Sequence, residues 1–130
     1  MNDSPMRLVR EFHEVFGLAR ADRPTAVPAD LAERRQRLLD EEVRELAEAT
    51  QGGRLDEIAR ELADVVYVAY GTAVSYGVDL DAVIAEVHRA NMSKLGADGL
   101  PVIRDGKVQK GDAFQPPDVA GVLARQGRQQ

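Results

Sequence analysis

The apolar positions of the chain fall into four helical stripes followed by a region of different character. Met6, Leu8, Val9, Phe12, Val15, Phe16 and Ala19 recur at three- and four-residue spacing behind Ser4–Pro5, an N-cap residue with a first-turn proline, and predict a helix over 5–20. Arg20 to Pro28 holds two prolines and little period, and reads as a connecting loop able to cover a site. A second helix is expected over 28–50. Its Leu31, Leu38, Leu39, Val43 and Leu46 form one stripe, and Gly52–Gly53 ends it. From Leu55 to Tyr76 the residues Ile58, Leu62, Val65, Val66, Val68, Ala69, Ala73 and Val74 point in nearly every direction around a helix, the pattern of a central, buried element closed by Gly77. Asp79 can cap a fourth helix, to which Leu80, Val83, Ile84, Val87 and Leu95 give a packing face as far as about residue 95.

The last 35 residues follow another rule. Pro101–Val102–Ile103–Arg104 and Lys107–Val108 flank Asp105–Gly106, a two-residue signal for a type I′ turn, so a small β-hairpin is expected. Pro116–Pro117–Asp118 stops the chain and caps a short helix through Val119, Val122 and Leu123, with Gln126–Gln130 fraying. The expected fold is all-α: a four-helix bundle with a small C-terminal β-hairpin and a short terminal helix. It forms one domain over 1–130, with its core in 5–95 and the appendage in 96–125.

Composition narrows the chemistry. Aromatic residues are 5% with no Trp, so the core is built from Leu, Val, Ile and Ala. Cysteine is absent, which removes disulfides, thiolate metal sites and Cys nucleophiles together. A net charge of −5 repels phosphate backbones and argues against nucleic-acid binding. No apolar run reaches the roughly 18 residues needed to span a bilayer, and Met1–Asn2–Asp3 does not begin like a signal peptide. A cytoplasmic protein without a membrane partner is expected.

Two acidic motifs remain. EEVRE places Glu41, Glu42 and Glu45 on the second helix, and ELAD places Glu61 and Asp64 on the third. Residues at i and i+3 share a helix face, so Glu42/Glu45 and Glu61/Asp64 are each a two-pronged oxygen clamp. On its own EExxE in a chain that is 30% charged is most often a solvated face. Glu61 and Asp64, however, interrupt the most apolar helix, where an unpaired carboxylate is costly. Arg44, Arg54 or Arg60 offer ordinary salt bridges, but one guanidinium hardly neutralises four inward carboxylates. An all-oxygen ligand set suits Mg²⁺, or Mn²⁺, and several carboxylates can hold two ions about 4 Å apart, an arrangement suited to phosphoryl chemistry. A di-iron bundle needs Glu-x-x-His pairs, and neither His13 nor His88 has a Glu at that offset.

A second, polar constellation lies on the fourth helix, where His88, Asn91 and Lys94 step at i, i+3 and i+6. With Lys107 and Lys110 they form a cationic rim fit for a phosphate tail, or equally a solvated helix end with an edge-strand guard. His13 beside Phe12 and Phe16 offers a base-stacking surface, although the two Phe residues, one turn apart, are more often simply core. Tyr67, Tyr70 and Tyr76 are expected to pack.

EExxE, a gap of fifteen residues from Glu45 to Glu61, ExxD, then HRANMSKLG, DGKV, KG and PPD resemble the MazG-like all-α NTP pyrophosphohydrolases over roughly residues 6–123. The run is similar to small bacterial members of phosphoribosyl-ATP pyrophosphohydrolase-like and dUTP-hydrolysing type. The resemblance implies Mg²⁺-dependent cleavage of a (d)NTP to the (d)NMP and pyrophosphate, with a deoxypyrimidine nucleotide (dUTP or dCTP) favoured and a housecleaning role. It implies Glu42, Glu45, Glu61 and Asp64 as metal ligands and Glu41 as reaching a further ion. Glu42 takes the proton of the attacking water, with Glu45 close behind. Asn91 and Lys94 match positions that touch sugar or phosphate, and members assemble as homodimers or homotetramers. Phosphoribosyl-ATP hydrolysis in histidine biosynthesis, or a non-catalytic helical bundle acting as an interaction partner, are the alternatives.

Overall fold

The computed structural model describes residues 3–128. Its elements are α1 (Pro5–Phe16), α2 (Ala29–Gly52), α3 (Leu55–Tyr76), α4 (Leu80–Met92), β1 (Ile103–Arg104), β2 (Lys107–Val108) and α5 (Val119–Arg128). Among the described residues the fold is all-α apart from one two-stranded antiparallel hairpin. It forms two compact units, Met1–Leu80 and Asp81–Gln130. No described helix is long and apolar enough to cross a membrane.

In the first unit, Ser4 caps α1 by accepting a hydrogen bond from the Arg7 amide at 3.3 Å. The helix stops at Phe16, four residues short of the expected 20. Gly17 turns left-handed there (φ 67°) and donates its N–H to the His13 carbonyl. Leu18 and Ala19 continue the apolar period but belong to the loop. Gly53 ends α2 and Gly77 ends α3 in the same left-handed way.

The helix α3 packs against both α1 and α2. Val9, Tyr70 and Val74 form the centre of the core, with Met6 and Leu80 against them. Burial along α3 is one-ended. Its buried residues run from Tyr70 to Ser75, whereas Leu55, Leu62 and Val66 are exposed. The expectation of burial all around the helix therefore holds for its C-terminal half only. Phe12 and Phe16, expected in the core, pack on each other (centroids 4.6 Å) yet remain exposed.

In the second unit α4 ends at Met92 rather than near 95, and Ser93 and Lys94 form a turn closed by amide bonds to Arg89, Ala90 and Asn91 carbonyls. The hairpin has the expected register, Ile103 opposite Val108 and Arg104 opposite Lys107. Both turn residues, Asp105 (φ 50°) and Gly106 (φ 74°), have positive φ, as a type I′ turn requires. Asp118 caps α5 by accepting from the Gly121 amide at 3.0 Å. Glu86 ties this start to α4, holding Arg89 through two 2.9 Å bonds and accepting from the Asp118 amide at 2.7 Å. These bonds, Arg89 first, lower the Glu86 carboxyl to about 2. The helix continues to Arg128, so Gln126 is helical, and the fraying expected at Gln129 and Gln130 lies outside the described residues.

Candidate active site

Only Gly53 and Arg54, the C-cap of α2 and the N-cap of α3, separate the two helices, so they run back as antiparallel neighbours. Glu45 lies about two turns before the end of α2, and Glu61 about two turns after the start of α3. Equal distances from the connection bring them opposite each other. One carboxylate oxygen from each of Glu42, Glu45 and Glu61 falls within a group whose members lie within 4.8 Å of one another. Glu42 and Glu61 are half-buried, and the Oε2 of each is buried with no hydrogen-bond partner among the described residues.

This arrangement is electrostatically unfavourable as it stands. Burial, then the charges of Glu45 and Asp64, raises the Glu42 carboxyl above its usual value. The Glu61 carboxyl is raised by the same causes in the same order, with Arg60 opposing. Asp64, one turn beyond Glu61, is close enough to act on both. The structure thus gathers Glu42, Glu45 and Glu61, and Asp64 stands outside this group of oxygens, acting on it through its charge. Glu41 is exposed and turns elsewhere, lining a cleft on the neighbouring face of α2.

His13 is 2% exposed, with its ring edge-on to Phe12. Its Nδ1 lies 3.0 Å from the Ala19 carbonyl, to which it must donate, and Ser75 Oγ donates to the same oxygen at 3.0 Å. Burial, ahead of all else, lowers its pKa and keeps the ring neutral. The ring that was expected to stack on a base has its faces enclosed by the fold, and it holds the α1–α2 loop in place. In the second unit Asn91 is exposed in the last turn of α4 and Lys94 is half-buried just past its end, so the i+6 helical step is broken. Lys107 is exposed on β2, and Lys110 stands 5.0 Å from the centre of the Phe114 ring.

A profile of the phosphoribosyl-ATP pyrophosphohydrolase family matches residues 9–91, more than half of the chain. The chain belongs to the phosphoribosyl-ATP pyrophosphohydrolase family. It is accordingly a pyrophosphohydrolase of the MazG-like all-α group. The matched interval contains all five acidic candidates, His13 and Asn91, while Lys94, Lys107 and Lys110 lie beyond it. Among solved structures, a protein of Exiguobacterium sp. 255-15, provisionally named an NTP pyrophosphohydrolase, aligns over 98% of both chains at 25% identity, with a TM-score of 0.49. No curated protein matches the chain.

Sequence reasoning missed Arg35, which lines the cleft on the neighbouring face of α2, and Gly71 of α3, where a Cβ would collide with the Arg35 guanidinium. The signal was a lone glycine within the apolar run of α3. A mid-helix glycine costs about 1 kcal/mol relative to alanine and calls for a packing reason.

Proposed function

We propose that this pyrophosphohydrolase cleaves a nucleoside triphosphate between its α and β phosphates in a divalent-metal-dependent reaction, with a deoxypyrimidine nucleotide (dUTP or dCTP) as its first candidate substrate. The observation that carries the metal is the pair of buried, unpartnered oxygens, Glu42 Oε2 and Glu61 Oε2, within a three-carboxylate group. Such a set fits Mg²⁺ or Mn²⁺, which take hard oxygen ligands and relieve the mutual repulsion. Glu42, Glu45 and Glu61 would hold the ion, with Asp64 adding charge beside them. When bound, the metal supplies charge neutralisation for the triphosphate and for the pyrophosphate leaving group.

Glu42 is the proton acceptor. Its carboxylate stands beside those of Glu45 and Glu61, where a water held by the ion would come within its reach. Glu45, on the same helix face, stands in reserve for that role and orients the attacking water. Glu41 is proposed to reach a further ion only from its neighbouring face. Asn91, Lys94, Lys107 and Lys110, all in the second unit, are proposed as N–H donors to sugar and phosphate, and His13 keeps the α1–α2 loop in place.

A homodimer or homotetramer in the cytoplasm completes this reading. Leu55 (79%), Val15 (70%) and Phe16 (64%) are exposed, and an apolar pocket of about 380 Å³ opens between α1 and α3 at Leu8, Leu62, Val66 and Tyr67. A second copy would cover this face. A monomer by light scattering at micromolar concentration would contradict it.

Phosphoribosyl-ATP is the second candidate substrate, favoured by the family match itself. Pyrophosphate release from a panel of NTPs, dNTPs and phosphoribosyl-ATP, each with Mg²⁺, Mn²⁺ or EDTA, tests both. Metal-dependent monophosphate formation from one deoxypyrimidine supports the first candidate, and selective turnover of phosphoribosyl-ATP replaces it with the second. No release from any of them would leave a non-catalytic bundle as the better account.

A further inference from the structure

Two Asp–Gly pairs lie in the second unit, Asp98–Gly99 ahead of the hairpin and Asp105–Gly106 at its turn. An aspartate followed by glycine can rearrange without an enzyme, because the glycine nitrogen attacks the neighbouring side-chain carboxyl and no Cβ obstructs its approach. As dipeptides the two are equivalent. The fold separates them.

At Asp98–Gly99 both reacting groups are engaged. The Gly99 amide, the nucleophile, donates to the Gly96 carbonyl at 2.9 Å, and Asp98 Oδ1 accepts from the Leu100 amide at 3.0 Å. Gly96 closes this turn by donating to the Leu100 carbonyl at 2.8 Å, and a Cβ placed on it would stand 3.1 Å from Asp98 Oδ1. Attack here must first break two hydrogen bonds. At Asp105–Gly106 neither the carboxylate nor the Gly106 amide has a hydrogen-bond partner among the described residues, and both residues are exposed. Asp105 is also, among the described residues, the one non-glycine residue at positive φ (50°). The hairpin that holds it has two residues a side, all of them exposed, so it opens locally at little cost.

We propose that Asp105 is a site of spontaneous modification, converting to isoaspartate through a succinimide, and that the fold protects Asp98 from the same change. The Gly106 nitrogen loses its proton and bonds Asp105 Cγ, and the protonated carboxyl gives up its hydroxyl, so that one water leaves and a five-membered ring closes. Water then reopens the ring. Cleavage of the new Cγ–N bond restores aspartate. Cleavage of the bond from the Asp105 carbonyl carbon to that nitrogen leaves the chain running through Cβ and Cγ, with a free α-carboxylate. No oxidant, metal or cofactor enters, and the product has the mass of the starting chain. A β-linked residue adds one atom to the backbone of a two-residue turn. The left-handed conformation at Asp105 is given up, and with it the type I′ geometry that sets Ile103 opposite Val108 and Arg104 opposite Lys107.

The full chain, kept folded at neutral pH and physiological temperature for weeks, tests this. Samples are digested with a protease that cuts before aspartate and not before isoaspartate, and the peptides are read by mass spectrometry. Missed cleavage before Asp105 is expected to accumulate at least about tenfold faster than before Asp98, the ratio that two ordinary hydrogen bonds supply. A transient species lighter by one water should accompany it and be absent from Asp105→Glu, whose longer side chain does not close the five-membered ring. In urea, where the turn no longer holds Asp98, the two rates should converge. No missed cleavage before Asp105 in the folded chain, or equal accumulation at both positions there, overturns the proposal. Rates that stay equally far apart in urea overturn it too, by assigning the difference to sequence neighbours instead of the fold. None of these readouts depends on turnover of any nucleotide.

Discussion

Glu42 on α2 and Glu61 on α3 each bury an Oε2 that no group among the described residues hydrogen-bonds, while one carboxylate oxygen of each lies within 4.8 Å of the other's and of Glu45's. A fold tolerates such a juxtaposition when a cation relieves it, because unpaired buried charge is otherwise among the costliest features a core can hold.

Removing ligand charge at the edges of this group should stop turnover without unfolding the helices. Glu45→Gln and Asp64→Asn are each expected to lower kcat by more than about 100-fold, beyond the usual effect of a group that merely supports a ligand. Circular dichroism should show unchanged helicity. Activity kept near wild type in both would remove these residues from the site.

In EDTA the same carboxylates should be a burden. The folded-state pKa of Glu42 is raised, so its effect favours the fold at low pH and is lost as pH rises from the ordinary carboxylate value through the raised one. Glu42→Gln removes that penalty, and its melting temperature at pH 7 without metal should exceed that of wild type by a few degrees. With Mg²⁺ the order should reverse, because wild type alone is stabilised by binding. A variant that melts lower than wild type in EDTA would show that Glu42 is satisfied without an ion.

His13 predicts a pH dependence of opposite sense. Its folded pKa is depressed, chiefly by burial, so the unfolded chain takes up a proton first as pH falls below about 6.5. Stability is fully present above that value and is lost as pH falls toward the lowered one. The drop in melting temperature between pH 7 and about 5 should be smaller in His13→Gln than in wild type. An equal drop would show that His13 does not titrate in this window.

How much of this was legible in the sequence depends on which neighbour each residue needed. The acidic cluster was readable, because Glu42/Glu45 and Glu61/Asp64 sit on helix faces joined by a connection too short for any other pairing. The hairpin followed from Asp105–Gly106, and the terminal helix from Asp118. The end of α1 was hidden, since Leu18 and Ala19 keep the apolar period and Gly17 alone reveals the left-handed turn. The exposure of Leu55, Leu62 and Val66 was unreadable, because hydropathy records that a face wants covering and not which chain covers it. Arg35 was missed for a related reason: its seat exists only once α3 has placed Thr72, Val68 and Gly71 around it.

Two glycines test the helix ends. Gly77 and Gly53 both close helices at positive φ, 71° and 77°. A Cβ at Gly53 meets nothing within 4 Å, whereas one at Gly77 would run into the Arg23 backbone carbonyl. Gly53→Ala should cost about 1–2 kcal/mol from the left-handed conformation alone, and Gly77→Ala clearly more, with chemical denaturation as the measure. Equal costs would mean that the loop at Arg23 yields freely.

The most direct test of the central claim is pyrophosphate release by wild type and Glu61→Gln from the best substrate of the panel, titrated with Mg²⁺ against an EDTA control, with melting curves on the same samples. Wild type should release pyrophosphate and gain thermal stability together as Mg²⁺ rises, and Glu61→Gln should do neither while remaining helical. Undiminished release by Glu61→Gln, or by wild type in EDTA, would contradict a metal site at these carboxylates.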